Sequence, residues 1–504
     1  MTLSRRNLIK TLGLGGTASA LLAREASALP VGPDTKWTST YDIVVIGGGI
    51  AGMYAAVSAK DSGAKSVLIV EKNPTLFLGS STYSGGLASA AGTRTQARAG
   101  IKDPGPEVFA KEIMKAGKGL NDETLVRLYA ENSAAAIDYL EDLGVKFRLV
   151  PNAAFSVLRM HNNGTRSGAR IIQALDGQAK KLGVEFAMNT EALKLLTNND
   201  SSEVLGVEVR NKEKQIANIR GLKAVIIASG GYMGNPALVD KFLPRFKGAL
   251  SCSSPASQGA GLLMAAKIGA QLTHMEHGAV YAYGAPVDQA KRRGLLFRGH
   301  VFNLYGSITV GTDGKRFIAD EASATTAANA AFERGFDRVY VIATKEMLDR
   351  FMEKEATQVS TWSREKWLNE IQKDHTFSQE ANTIPELAKL LGLPPKNLEK
   401  TIKRYDEFVK NGEDKDFHRT RMNGTFEKGP YFGFIAQKVA MASTGGLKAN
   451  NKLQVLDVYD TPIKHLYAAG EVVGGIHGAS YLGGDSVGAA MTFGRLAGIN
   501  SAKD

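Results

Sequence analysis

Short runs of apolar residues recur along this chain of 504 residues, and glycine-rich sequence follows several of them. The first run covers residues 43–46, and a glycine turn, an alanine-rich segment and a second apolar run at 66–70 come after it. Apolar runs of this length are typical of buried strands, and the longer segment between them is typical of a helix. This order predicts a strand, a helix and a second, parallel strand, which is the unit of an α/β fold.

Two further strands are predicted far along the chain, and each runs into glycine. One occupies residues 221–228 and leads into Gly230, and the other occupies residues 465–469 and leads into Glu471 by way of Gly470. A glycine turn at the end of a strand brings the backbone back towards a ligand at that edge of the sheet. Segments that are distant in sequence are therefore expected to meet at one site.

The length of the chain is too great for one hydrophobic core, so two or three domains are expected. Its hydrophobic content of 43% and its charged content of 22% are ordinary for a globular protein. In the middle of the chain, residues 337–348 predict a strand followed by a helix, and residues 354–410 are polar and mostly helical. The charges of this polar segment are interpreted as a solvated face.

The formal net charge of +12 raises the question of nucleic acid binding. The basic residues are scattered rather than clustered, and only 8% of the residues are aromatic. This pattern argues against a nucleic acid partner. A cationic surface also suits anionic substrates or an acidic redox partner.

The first 28 residues are typical of a targeting segment. Arg5 and Arg6 stand ahead of Lys10 and a short apolar stretch, and a small-residue cleavage site follows at residues 26–28. This order predicts a twin-arginine signal peptide over 1–28, export by the twin-arginine machinery and a periplasmic location. The alternative is a basic amphipathic helix. Because twin-arginine export carries folded proteins, the signal also points to a cofactor inserted before export.

Cysteine and histidine usage excludes several redox groups. Cys252 is the only cysteine in the sequence, so the chain can form no internal disulfide, hold no iron–sulfur cluster and attach no c-type haem. It is interpreted as a small packed residue. His274 and His277 are close in sequence, but they stand at helical spacing in an apolar run, and no metal site is predicted there.

The first glycine turn carries a dinucleotide-binding signature. Gly47, Gly49 and Gly52 fit the pattern G-x-G-x-x-G between the predicted strand and helix. These glycines permit the tight turn, the approach of a pyrophosphate to the backbone and close helix–strand packing. Glu71 ends the next strand, where an acidic residue binds the ribose hydroxyl. Together these features predict a dinucleotide.

FAD fits the pattern better than NAD. A chain that handles both usually has two such signatures, and outside residues 1–28 only one is present. The small-residue loop at 78–92 suits backbone packed against an isoalloxazine ring. Since four glycine-bearing strand ends from distant parts of the chain converge, the ligand must be long, and FAD is predicted.

Several motifs resemble those of the flavoprotein subunits of fumarate reductase and succinate dehydrogenase and their soluble periplasmic relatives. They are GTDGKRF at 311–317, STGG at 443–446, and AAGEVVGGIHGA with YLGGDSVGAAMTFGRLAG near the C-terminus. The resemblance implies an α/β fold with a Rossmann-like FAD-binding domain that is split in sequence, over 41–275 and 436–504. A mobile α+β capping domain would be inserted at 276–435.

The same resemblance assigns a role to the last glycine loop, residues 483–487. It would lay the N-terminus of the final helix beside N1 and C2=O of the flavin, where free N–H groups and the helix dipole stabilise negative charge. The family's covalent flavin link uses a histidine just before Ser84, and none stands there, so FAD is expected to be non-covalent. The predicted FAD contacts are Gly47, Gly49, Ala51, Gly52, Glu71, Lys72, Ser80, Ser84, Gly85, Gly86, Ala192, Gly230, Glu471, Ser486 and Val487.

The residues that bind a dicarboxylate in fumarate reductases are replaced in this sequence. The arginine that clamps a substrate carboxylate corresponds to Tyr481, and the arginine that acts as acid corresponds to Ala324. The two histidines of the family fall near Tyr281 and at Met441 or Ala442. Fumarate and succinate are therefore not expected as substrates.

What remains at these positions is rich in tyrosine: Tyr281, Tyr481, Tyr283 and Tyr83. A phenol donates a hydrogen bond to a carbonyl and, as phenolate, accepts a proton. The 3-ketosteroid dehydrogenases place a tyrosine where Tyr481 stands, and their flavin loop resembles STYSGG, but residues 482–484 have the reductase form. The alternative is that the tyrosines pack in the cap, which is favoured for Tyr283.

Two further side chains, Arg298 and His300, lie where the family places polar substrate contacts and could bind one carboxylate. Tyr481, Tyr281, His300 and Arg298 are thus the predicted catalytic residues.

The sequence predicts an exported FAD oxidoreductase that moves a hydride between flavin N5 and a C–C or C=C bond beside a carbonyl or carboxylate. One alternative is a ketosteroid-type dehydrogenase acting on a cyclic ketone, and another is a catalytically decayed FAD-binding or electron-relay protein. The expected partners are a small unsaturated or keto substrate and a separate electron carrier, such as a periplasmic cytochrome.

Overall fold

The computed structural model describes residues 29–31, 35–152, 154–164, 168–297, 299–322, 324–354 and 377–504. The predicted signal peptide over 1–28 and Arg298 lie outside these residues. Within the described ranges, no helix combines the length and the apolar character needed to cross a membrane.

The main sheet is built around the strand Ser39–Ile46. It pairs in parallel with Val67–Val70 on one side and with Ile216–Ile227 on the other, as the apolar runs predict. The remaining strands of this sheet are Leu29–Pro30, Glu185–Ala187, Glu191–Thr197, Val204–Arg210, Gln454–Leu456 and Pro462–Ala468.

The carboxyl ends of four parallel strands share one edge of this sheet. Ile46 pairs in register with Val70 and with Ile227, and Ile227 pairs with Ala468. In open α/β sheets, ligands bind outside the carboxyl ends of the strands. The backbone pairing thus brings the four predicted glycine-bearing strand ends to one place.

A second, mostly antiparallel sheet is centred on the long strand Tyr431–Ser443. Its other strands are Leu250–Ser251, Gly278–Asp288, Arg293–Leu296, Ile308–Val310, Arg338–Thr344 and Ser378–Ala381. Two small sheets complete the strands: Leu272–Thr273 with Gly446–Leu447, and Leu87–Ser89, Met160–Asn162 and Arg148–Val150.

The α-helices of the described residues cover the sheets and connect their strands. They are Ile50–Asp61, Ser80–Tyr83, Arg94–Arg98, Pro106–Ala116, Glu123–Asp142, Ala169–Lys181, Pro236–Phe242, Ala260–Lys267, Gly299–Phe302, Ala324–Glu333, Lys345–Lys354, Ile384–Leu391, Pro395–Asn411 and Asp485–Lys503. Short 3-10 helices occupy Leu76–Leu78, Pro244–Phe246, Asn303–Tyr305 and Gly470–Val472. The final helix, Asp485–Lys503, packs mainly on Ile50–Asp61, the helix of the first glycine turn.

Buried apolar residues form two clusters. One surrounds the parallel sheet and takes residues from both ends of the chain, from Ile43 to Ala270 and from Leu447 to Ala502, with Val280 and Ala440 at its edge. The other surrounds the antiparallel sheet and takes nearly all its residues from the middle of the chain. The domain boundaries at 275 and 436 remain a prediction, and the two cores give them a physical basis.

The segment predicted as mostly helical holds two helices in its described part, with the short strand Ser378–Ala381 ahead of them. One local prediction differs from the structure. His274 and His277 stand in a turn between two strands rather than on a helix. His274 has a φ of 56°, and its carbonyl accepts a turn hydrogen bond of 3.0 Å from the N–H of His277. Helical spacing was therefore the wrong interpretation for this pair.

Candidate functional site

A cleft of about 1140 Å³ runs along the carboxyl edge of the parallel sheet. The first glycine turn, the loop around Ser80 and the turn at Gly230 line it, together with the 3-10 helix at Gly470 and the start of the final helix. The cleft therefore has two ends, one at the dinucleotide signature and one at the final helix.

The glycines of the first turn are required by close backbone approaches. Gly47 has a φ of 107°, and a Cβ there would overlap the carbonyl group of Ala228 on the neighbouring strand. A Cβ at Gly52 would overlap the carbonyl of Gly47, so Gly52 permits the helix to pack on the turn. Gly49 faces the cleft at the N-terminus of the helix Ile50–Asp61, where an anion is favoured.

Glu71 links the two βα connections at this end of the cleft. Its Oε2 accepts a hydrogen bond of 2.8 Å from the N–H of Gly48, and its Oε1 accepts from the backbone and side-chain nitrogens of Asn73. The carboxylate is buried and lines the cleft. It retains lone pairs for a ribose hydroxyl, the partner predicted from its position after the second strand.

Ser81 is a contact that the sequence did not single out. Its hydroxyl accepts a hydrogen bond of 2.9 Å from the N–H of Ile50, the first residue of the helix at the dinucleotide signature. It stands about where a side chain on Gly49 would project, 3.1 Å from an added Cβ. The predicted contacts Ser80 and Ser84 flank it, and the hydroxyl-rich loop was the only available signal.

At the opposite end of the cleft, Glu471 is held against the strand that arrives from the second sheet. Its Oε1 accepts hydrogen bonds from the N–H and the hydroxyl of Ser443, at 2.9 and 3.0 Å. Burial raises the pKa of Glu471 above its ordinary value, and the Ser443 hydrogen bonds oppose that rise. Glu471 thus ties the STGG motif to the cleft.

The final helix begins beside the same end. Gly484 precedes it with a φ of 94°, and a Cβ there would overlap Ser89. Ser486 and Val487, in the first turn of the helix, line the cleft. The free N–H groups and positive dipole end of this helix therefore point at whatever occupies the cleft here.

The donors along the cleft fit FAD. Ser229 and Ser257 line it, and their hydroxyl oxygens have no hydrogen-bond partner among the described residues. A polar ligand would supply those partners, and the glycine cradle at Gly49 accepts a pyrophosphate. Helix N-termini at both ends match a ligand that carries negative charge at its pyrophosphate and, when reduced, at its flavin ring.

Twelve of the fifteen predicted FAD contacts line this cleft, and three do not. The twelve are Gly47, Gly49, Ala51, Glu71, Lys72, Ser80, Ser84, Ala192, Gly230, Glu471, Ser486 and Val487. Gly52 lies behind the turn, where its role is helix–strand packing, and Gly85 and Gly86 follow the lining loop without reaching the cleft.

Tyr481 and His477 form a pair beside the end of the cleft near the final helix. Their ring centroids are 4.9 Å apart, with the planes at 37°. Burial lowers the pKa of His477 to about 4, so the imidazole is neutral at physiological pH. Burial raises the pKa of Tyr481, with Ser486 opposing that rise and the nearby carboxyl groups of Glu471 and Asp485 adding to it. Tyr481 is thus a neutral phenol.

The profile of the family described as "FAD binding domain" matches residues 42–487 of the chain. This chain belongs to that family. Its cofactor is FAD, and the cleft described above fits the cofactor of this flavoprotein.

Curated relatives match nearly the whole flavoprotein. A probable fumarate reductase, Ifc3, from Shewanella frigidimarina is 32% identical over 479 residues, which cover 94% of this chain and 76% of the relative. The acrylate reductase flavoprotein subunit of Shewanella woodyi is 29% identical over 98% of this chain and 97% of its own. The vinyl phenol reductase of Lactiplantibacillus plantarum is 29% identical over 92% and 97%.

Solved structures show the same architecture. The open conformation of a flavocytochrome c3 fumarate reductase has a TM-score of 0.77 at 29% identity and covers all of this chain and 81% of its own. A 3-ketosteroid Δ1-dehydrogenase from Sterolibacterium denitrificans has a TM-score of 0.79 at 20% identity, over 92% of this chain and 100% of its own. The latter likeness concerns the fold.

The positions predicted to replace the dicarboxylate ligands belong to the apolar core of the second sheet or lie against it. Tyr281, Ala324 and Ala442 are buried members of that core, and Met441 and Tyr481 pack against it from partly buried positions. These sequence-distant positions of the flavoprotein thus share one apolar core.

Other candidate residues of the flavoprotein lie elsewhere. Tyr83 is 56% exposed, so the structure does not place it in a buried tyrosine cluster. Tyr283 is fully buried, and its hydroxyl shares a hydrogen bond with Thr309, as expected of a packing residue. His300 falls in the short helix Gly299–Phe302, and Arg298 lies outside the described residues.

His477 and Asp485 carry no signal in the sequence pattern, although they lie close to the predicted residues Tyr481 and Ser486. Cys252 is a partly buried free thiol whose pKa is raised by burial to about 12, in keeping with a packed residue. No group of three metal-ligating side chains occurs in the described part of the chain.

Proposed function

We propose that this flavoprotein transfers a hydride between flavin N5 and a C–C or C=C bond adjacent to a carbonyl or carboxylate, with Tyr481 polarising that group. The observation that carries the proposal is the neutral, partly buried phenol of Tyr481 beside Ser486, where the final helix meets the cleft. A neutral phenol donates a hydrogen bond to an oxygen on which negative charge grows as hydride moves to or from the neighbouring carbons.

The surroundings of Tyr481 argue against a small dicarboxylate. The positions that would carry the remaining dicarboxylate ligands are Tyr281, Ala324, and Met441 or Ala442, and none of them bears a charge. An apolar wall excludes water and favours a substrate with an apolar body and one polar group. Arg298 and His300, by their position in the sequence, could bind a single carboxylate on such a substrate.

The names of the relatives support this reaction class. They are reductases of fumarate, acrylate and a vinyl phenol, so the unsaturated substrate varies among them. The altered side chains at Tyr281, Ala324 and Tyr481 agree with a different unsaturated substrate in this flavoprotein. We propose further that it receives electrons from a separate carrier, such as a periplasmic cytochrome, and that residues 1–28 direct its export by the twin-arginine pathway.

The test is reoxidation of the reduced flavoprotein. Purified protein is reduced with one equivalent of dithionite under argon and mixed with fumarate, urocanate, cinnamates, cyclic enones or steroids, and flavin absorbance is followed. We expect a cinnamate or an enone to restore the absorbance, with stoichiometric formation of the saturated product. Reoxidation by fumarate alone would contradict the proposal, and failure of every alkene would favour a decayed electron-relay protein.

A second candidate is a dehydrogenase acting on a cyclic ketone, favoured by the same phenol. In that direction Tyr481 would polarise the ketone and stabilise the charge that forms as a neighbouring C–H proton leaves. Bleaching of the oxidised flavin by a saturated cyclic ketone, in the absence of any other reductant, would identify this activity.

A further inference from the structure

Asp485, the first residue of the final helix, is a buried acid without a well-formed hydrogen bond. Its side chain has no exposed surface, and within the described residues the one hydroxyl that acts on its carboxyl group is that of Ser89, outside good hydrogen-bond geometry. Carboxylates in proteins are almost always exposed or paired, because an isolated buried charge costs several kcal/mol. Such a group calls for an explanation.

The hydroxyl groups around Asp485 also donate to backbone carbonyls. The Tyr129 hydroxyl donates to the carbonyl of Ser89 at 2.6 Å, and the Ser89 hydroxyl donates to the carbonyl of Gly483 at 3.4 Å. The helix packs closely on them, because a Cβ at Gly488 would overlap the Tyr129 hydroxyl and the carbonyl of Ser89. The first turn of the helix is thus held against two side chains that offer little to a carboxylate.

No cation compensates the acid in the described part of the chain. The titratable groups that act on it or respond to it are Glu112, Tyr129 and Tyr481, and Glu112 is itself paired with Arg159 at 2.9 Å. Burial raises the pKa of Asp485 to about 8, and the nearby Ser89 hydroxyl opposes that rise only in part. Asp485 is therefore largely a neutral carboxylic acid at pH 7.

The neutral form of Asp485 matters because of where this residue lies relative to the cleft. The next two residues, Ser486 and Val487, line the cleft where the final helix begins. If Gly49 and Glu71 hold the pyrophosphate and the ribose, the flavin ring of bound FAD would extend towards the start of this helix. The positive end of the helix dipole here stabilises negative charge on the ring, and an ionised Asp485 in the first turn would oppose it.

We propose that Asp485 is a positioning residue for flavin reduction: it keeps the N-terminus of the final helix free of fixed negative charge, and its ionisation makes the bound flavin harder to reduce. The inference requires bound FAD but no particular substrate. When the ring gains negative charge, a protonated Asp485 adds no repulsion, whereas ionised Asp485 must either repel the ring or take up a proton.

The test is the midpoint potential of the holoenzyme, measured by dye-coupled reduction at pH 6.0 and pH 9.5 in wild type, Asp485→Asn and Asp504→Asn. Asparagine imitates the neutral acid, and Asp504 is a carboxylate at the far end of the same helix. At pH 6.0 we expect all three proteins to agree. At pH 9.5, Asp485→Asn should favour the reduced flavin at least tenfold more than wild type, which is about 30 mV for a two-electron couple.

Equal potentials of wild type and Asp485→Asn at both pH values would overturn the proposal, and so would one shift of the same size at both. Wild type alone provides a second measurement if the variant fails to hold FAD. Its potential should fall more steeply with pH above about 8 than below, because reduction then draws a proton to Asp485. A constant slope from pH 6 to pH 10 would contradict the assignment.

Discussion

The imidazole of His477 lies against the phenol of Tyr481, with 4.9 Å between ring centroids. Both side chains belong to one glycine-rich loop, and burial keeps both of them neutral. The loop therefore presents a hydroxyl group on a wall of two rings tilted against each other, and this pair carries no charge. The contact between the two rings orients the phenol of Tyr481, and the phenol hydroxyl takes no part in that contact.

Replacing Tyr481 with phenylalanine should separate chemistry from packing. The ring stays against His477, so FAD content and Tm should barely change. The hydrogen bond to growing negative charge is lost, which typically lowers kcat about 10²–10³-fold. Tyr283→Phe is the matched control, because it removes a buried hydroxyl from the cap core and should leave kcat unchanged. A Tyr481→Phe rate within about threefold of wild type would mean that the tyrosine only packs.

Replacing Gly49 with valine should yield colourless protein. The side chain would project towards Ser81 at the helix N-terminus, where a pyrophosphate must approach the backbone. Gly177→Val is the control, because a side chain there meets nothing within 4 Å. The ratio of flavin to protein absorbance measures the effect, and Gly49→Val protein with full FAD occupancy would refute the placement of the pyrophosphate.

Acid precipitation of the wild-type protein should release all flavin into the supernatant. No histidine stands before Ser84 in the loop at 78–92, and we expect FAD to be held by contacts alone. Fluorescence of the washed pellet, with a covalent flavoprotein treated in parallel, makes the comparison. Flavin that stays with the pellet would reveal a covalent link.

His477 should make the protein less stable in acid. Its pKa is about 4 in the fold, below the ordinary value near 6.5. Between these pH values the unfolded chain binds a proton at His477 and the folded chain does not. Stability from this group is present above pH 6.5 and is lost as pH falls towards 4, by about 3 kcal/mol in all. Thermal unfolding of His477→Gln should show a smaller loss of Tm between pH 7 and pH 4.5 than wild type. His418→Gln, which changes an exposed histidine, should behave like wild type.

Reduced methyl viologen should support turnover far better than NADH. One cysteine and one G-x-G-x-x-G pattern outside residues 1–28 leave the chain without an iron–sulfur cluster, a c-type haem or a second nucleotide signature. Initial rates with each donor, at saturating substrate, give the comparison. NADH-driven rates equal to the viologen rates would overturn the expectation of a separate electron carrier.

The dinucleotide end of the site was predictable because its requirements are local. Gly47, Gly49 and Gly52 are needed by one strand, turn and helix that adjoin in sequence, and Glu71 ends the very next strand. Where the backbone is this crowded only glycine fits, so the glycines can be recognised in the sequence.

The opposite end could be predicted only in part, because its chemistry depends on distant neighbours. The burial of Asp485 comes from Ser89 and Tyr129, which lie hundreds of residues earlier, and no pattern around Asp485 records them. The same limit applies to Tyr83, whose loop was assigned correctly to the cleft but whose ring points into solvent.

The in-register ends of Ile46, Val70, Ile227 and Ala468 also set the order of events during synthesis. A nascent chain still lacking its last strand and the helix Asp485–Lys503 has no cleft lining from Ala469 to Ala490, however well its earlier strands have paired. The ribosome must complete nearly the whole polypeptide, including the segment that forms the second sheet, before the cofactor can be enclosed. Loading of FAD is thus a late event by topology, and ribosome-bound chains stalled before residue 460 should not retain flavin.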